Sequence, residues 1–135
     1  MKKTFSILFL NMLMVMCLGF SSCSKEGNSD GDINKKIIGK WQLVENNDEG
    51  ALPCDFQLWR EYKSDGTAIE YDACDNVFTP GKWSANSSNN TLTIINDEFP
   101  IPIAWKINSL TDKEMVIEAS LLEGYPAIQK YKRIK

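Results

Sequence analysis

An all-β fold, an eight-stranded antiparallel up-and-down barrel, is what the sequence predicts, and three observations predict it. Short runs rich in β-branched and aromatic residues recur at intervals of roughly ten residues. Turn-forming residues separate them, and within several runs apolar side chains alternate with polar ones so that each strand has one apolar face. No stretch shows a sustained helical period. An open eight-stranded sheet would leave two edges to protect, whereas a closed barrel leaves none.

At the amino terminus, Lys2 and Lys3 precede the apolar run 5–20, which ends in Ser21, Ser22 and Cys23. A basic start, a short apolar stretch and small residues form a secretory signal peptide, and the run falls short of the roughly 20 apolar residues of a membrane span. The segment Leu18-Gly19-Phe20-Ser21-Ser22-Cys23 resembles the bacterial lipoprotein signal, with Phe20 where an aliphatic residue is usual. That resemblance implies that Cys23 is acylated and becomes the first mature residue, in preference to Cys17, which follows the bulky Met16. The polar segment after it reads as a flexible tether. The domains predicted are therefore 1–22 signal peptide, 23–35 acylated cysteine and tether, and 36–135 barrel. The expected location is exported and held on the outer membrane by the acyl chains; Ser24-Lys25-Glu26 looks like a short signal for the outer surface.

The barrel strands are expected at 37–44, 56–63, 67–72, 81–85, 91–95, 101–110, 114–120 and 128–134, with a turn of helix over 32–38 before the first. Asn46 to Gly50, Ser64-Asp65-Gly66, Asn86 to Asn90, Thr111-Asp112-Lys113 and Glu123-Gly124 supply the turns. Alternation places Phe56, Leu58 and Tyr62 on one side of the second strand and carries Arg60 inward with them. Trp59 falls on the opposite side. Ile101, Ile103, Trp105 and Ile107 share a face of the sixth strand, and Met115, Ile117 and Ala119 a face of the seventh.

Cys54 and Cys74 remain as a pair in an exported chain and flank the second hairpin, which predicts a disulfide. A strict two-residue Asp-Gly turn would set Cys54 opposite residue 77, so a longer turn or a bulge is required to bring the sulfurs together.

Ile38-Gly39-Lys40-Trp41 resembles the Gly-x-Trp signature of the first strand of lipocalins, and Gly81-Lys82-Trp83 resembles a second one. With the hairpin Tyr62 to Thr67, the strand Asn90 to Ile94 and the closing Tyr131 to Ile134, the chain resembles small lipocalin-like lipoproteins of Gram-negative bacteria. The resemblance implies that Gly39, Trp41 and Arg133 close one end of the barrel and that the other end binds small apolar molecules. The domain is shorter than a full lipocalin and shows no carboxy-terminal helix.

For function, the sequence contains no histidine, so His-based triads and metal sites are excluded. No nucleophile–base constellation or Gly-rich phosphate loop is present, and no catalysis, cofactor or metal is expected. The net charge of -3, with no basic cluster in the body of the chain, argues against nucleic acid. Two readings stay open. In the first, a shallow pocket at the open end of a mostly filled barrel binds a small apolar or amphiphilic ligand, with Arg60, Tyr62, Tyr71, Trp105 and Tyr131 as candidate contacts; Arg60 either receives an acidic head group or pairs with an internal acid such as Glu70. In the second, a filled barrel acts on a protein partner or as an inhibitor through its outer surface, where Trp59 is exposed.

Overall fold

The computed structural model describes residues 30–122 and 125–135. The signal segment, Cys17, Cys23 and most of the tether lie outside the described residues, as does the Glu123-Gly124 turn. A helix, α1 (Asp30–Ile37), precedes eight strands: β1 (Gly39–Asn46), β2 (Trp59–Tyr62), β3 (Thr67–Asp72), β4 (Val77–Asn86), β5 (Thr91–Asn96), β6 (Ile103–Leu110), β7 (Glu114–Leu122) and β8 (Tyr125–Ile134). Each strand pairs antiparallel with the next, and β8 returns to β1, closing an up-and-down barrel.

Turn chemistry fixes the register. Between β2 and β3, Gly66 takes φ +83°, which a side chain disfavours, while the Asp65 carboxylate accepts from the Thr67 N–H at 2.9 Å and its hydroxyl at 2.6 Å. The resulting three-residue reversal pairs Tyr62 with Ala68 and Trp59 with Tyr71. The second strand is shorter than the predicted 56–63, because Asp55–Gln57 winds into a 3-10 turn in which Gln57 N–H donates to the Cys54 carbonyl at 2.9 Å. This turn carries Cys54 to Cys74, and the disulfide joins the β1–β2 connection to the β3–β4 turn, with Cα atoms 5.1 Å apart. Asp55 stands beside both sulfurs, which the disulfide commits to each other.

Elsewhere the boundaries move for local reasons. β6 begins at Ile103 rather than 101, since Pro100 and Pro102 lack backbone donors. α1 takes in residues that composition assigned to the tether, because Ile33 and Ile37 pack onto the core. β4 begins before Pro80, whose carbonyl accepts from Asp97 N–H at 2.9 Å.

The core fills the barrel from its closed end. Trp41, Leu43, Tyr62, Trp83, Leu92, Trp105, Met115, Ile117 and Tyr131 are all buried, with Ile37 of α1 beneath them. Arg133 holds that helix in place. Its Nη1 donates to the Ile38 carbonyl at 2.7 Å, its Nη2 to the Lys36 carbonyl, and its Nε to the Asp112 carbonyl at 2.7 Å, while the guanidinium lies 4.2 Å from the Trp41 ring centroid. Trp41 Nε1 donates to the Ile37 carbonyl at 2.7 Å. Helix-end carbonyls that lack intrahelical partners are thus answered by two side chains of the barrel. Gly39, at φ +133°, is the one residue type that fits here, since a Cβ would collide with the Arg133 guanidinium.

Candidate functional site

The register places Arg60 of β2 opposite Trp41 of β1 and Glu70 of β3, and all three point into the barrel. Apolar neighbours cannot answer a guanidinium, so the site is built from what does. Arg60 Nε donates to Glu70 Oε2, forming an ion pair. Its Nη1 donates to the Tyr131 hydroxyl at 2.7 Å and more distantly, at 3.4 Å, to Gln129 Oε1, and Tyr131 in turn donates to that Gln129 oxygen at 2.8 Å. The rings of Tyr131 and Trp105 flank the cation at 5.5 and 5.7 Å.

Electrostatics follow from this crowding. Burial works against the Arg60 charge, yet Tyr131, Glu70 and Tyr62 together outweigh it and hold the guanidinium firmly protonated. Burial likewise pushes the Tyr62 phenol up to about 12, against the pull of Arg60, and raises Tyr131 in the same direction. The Tyr62 hydroxyl lies against the guanidinium but without hydrogen-bond geometry; it is the buried side-chain polar atom left without a partner among the described residues.

Directly over this network the barrel is hollow. A cup of about 250 Å³ opens at the end opposite α1, with Arg60, Glu70 and Asn96 as its polar lining and Ile94, Ile103 and Trp105 as apolar wall. Phe99 and Ile101, from the β5–β6 connection, complete the rim and are 74% and 65% exposed. Arg60 and Glu70 have side chains 13% and 21% exposed, so both are largely shielded, the acid by the smaller margin. The arrangement offers an apolar slot with a charge-neutral hydrogen-bonding floor.

A family model described as a lipocalin-like domain matches residues 37–117, more than half of the chain, from the end of α1 into β7. The chain belongs to the lipocalin-like domain family. No curated protein matches it. Among solved structures, it is similar to a DUF4847 family protein from Bacteroides vulgatus ATCC 8482, at 13% identity over 73% of this chain and 94% of that one, with a TM-score of 0.49.

Within this lipocalin-like barrel the predicted contacts separate. Arg60 and Trp105 line the cup. Tyr62 and Tyr131 are inside the barrel but fully buried, below the floor rather than on it. Tyr71 is a correction: alternation about the inward Glu70 turns it outside, where it stacks on Trp59 at 5.6 Å and meets Phe78 at 4.7 Å. Trp59 is not fully exposed, because this outer cluster and the Lys40 ammonium, 3.5 Å from its ring centroid, cover it. Ile94, Asn96 and Phe99 also line the cup and were not among the contacts expected from the sequence. The available signal was Phe99 and Ile101 themselves, two large apolar residues in a Pro-rich connection with no strand partner to cover them.

Proposed function

We propose that the protein is an exported lipoprotein that holds a small amphiphilic molecule in the open mouth of its barrel. The observation that carries this reading is the cup, whose rim keeps Phe99 and Ile101 in water above a hydrogen-bonding floor. Exposed large apolar side chains grouped around a concavity are the surface feature that a ligand relieves, and burying each contributes roughly 1.5 to 3 kcal/mol. Native mass spectrometry of the gently purified protein should show a stoichiometric adduct of amphiphile mass. Replacing Phe99 and Ile101 together by Ser should remove it while leaving the melting temperature within a few degrees, since neither side chain is in the core. A bare mass for the unaltered protein sinks the reading.

The outer cluster of Trp59, Tyr71 and Phe78 supports a second reading, a surface that meets another protein, because Phe78 is 59% exposed. Phe78→Glu separates the two: it leaves a ligand adduct intact and disrupts only a function that works through the outside of the barrel.

A further inference from the structure

We infer that the cup selects uncharged amphiphiles, carrying a hydroxyl or carboxamide head, and rejects carboxylates. The inference rests on the ligand-binding reading above and deepens it by naming the head group. A buried arginine at the floor of an apolar slot is, in isolation, a receptor for an acid. Here that place is taken. Glu70 supplies the carboxylate, Tyr131 and Gln129 engage Nη1, and the buried Tyr62 phenol is close enough to feel the guanidinium charge.

The floor therefore carries an ion pair with no net charge, and its more exposed member is the acid. A ligand carboxylate arriving there meets Glu70 before it meets Arg60, and two carboxylates in one low-dielectric pocket repel. It would also have to break the Arg60–Glu70 pair and leave Glu70 charged and unpartnered. An uncharged head avoids both costs. A hydroxyl or amide N–H donates to the Glu70 oxygen that no described residue engages, and the Asn96 side chain, without a side-chain hydrogen bond of its own among the described residues, supplies a donor and an acceptor beside it. The tail then runs along Ile94, Trp105 and Ile103 toward the exposed Phe99 and Ile101. At about 250 Å³ the cup is sized for a short-chain amphiphile.

The test is calorimetric titration of the purified full chain with octanamide, 1-octanol and sodium octanoate at neutral pH. The expected result is that the amide and the alcohol bind at least tenfold more tightly than octanoate. Octanoate binding as tightly as the amide, or more tightly, overturns the selectivity and leaves the ligand-binding reading standing. No heat from any of the three overturns both. Two variants locate the effect. Glu70→Gln should raise octanoate affinity at least tenfold, because Arg60 is then free to receive it. Asn96→Leu, which leaves the ion pair untouched, should weaken octanamide several-fold with little change for octanoate. An octanoate affinity unmoved in a folded Glu70→Gln protein, as judged by circular dichroism, also overturns the inference.

Discussion

Arg60 shows how a buried charge is stabilised by what surrounds it. The ion pair with Glu70 sits at side-chain exposures of 13% and 21%, deep enough that solvent does little to screen it. Arg60→Leu leaves the Glu70 carboxylate without its counter-charge and the Tyr131 hydroxyl without its donor, so the expected loss is about 3 to 5 kcal/mol in a urea unfolding experiment. Replacing both Arg60 and Glu70 by Leu should recover most of that loss, because an apolar pair strands no charge. Tyr62 makes a second prediction. Its phenol has a folded value of about 12 against about 10 in an unfolded chain. A value raised on folding stabilises fully below the unfolded value and is lost as pH rises through the folded one, so stability should fall between about pH 10 and pH 12, with Tyr131 acting in the same sense. Tyr62→Phe should flatten that decline. At neutral pH it should match or exceed the unaltered stability, because the hydroxyl it removes has no partner.

At the scale of elements, the disulfide does what the short β2 cannot. That strand has four residues, and the connection before it, held to β1 by the Gln42 and Leu43 hydrogen bonds to the Phe56 and Leu58 carbonyls, is also tied through Cys54 to Cys74 on the β3–β4 turn, 20 positions away. Replacing both cysteines by Ala should lower stability by about 3 kcal/mol in thermal melts, in line with a loop of that size. A melting temperature unchanged under oxidising and reducing conditions would contradict it. The pairing itself was legible from the sequence because turn residues and compartment both pointed to it. What alternation could not supply was the 3-10 turn at Asp55–Gln57, since a single helical turn is too short to leave a periodic trace. Barrel closure was legible only through the resemblance to lipocalins, which implied it for Gly39, Trp41 and Arg133; in the structure Trp41 and Arg133 hold α1 across that end. The rim was not: Phe99 lies in a connection where no period tells inside from outside, and Ile101, read as the start of the sixth strand, lies before it instead. Tyr71 fell to the opposite error, an aromatic taken as a ligand contact inside the barrel although its neighbour Glu70 is the residue that faces in.

The whole molecule has two unlike ends, and the anchor proposed for it belongs to one of them. α1 lies across the closed end, fastened by Trp41 and Arg133, so the chain enters the barrel on the side away from the cup. A protein held through Cys23 would therefore be attached at the end away from the cup, and anchoring and ligand binding would be separable. Cys23→Ser should move the protein from the membrane to the soluble fraction, since acyl chains contribute about 0.8 kcal/mol per buried methylene and nothing in the described helix is long and apolar enough to replace them. The same variant should bind octanamide with an affinity within about twofold of the anchored form, because none of the cup's lining comes from residues before Ile94 other than Arg60 and Glu70. Fractionation followed by titration measures both. A Cys23→Ser protein that stays with the membrane removes the anchor from the account, whereas one that is released but no longer binds would mean that the membrane, and not the barrel alone, delivers the ligand.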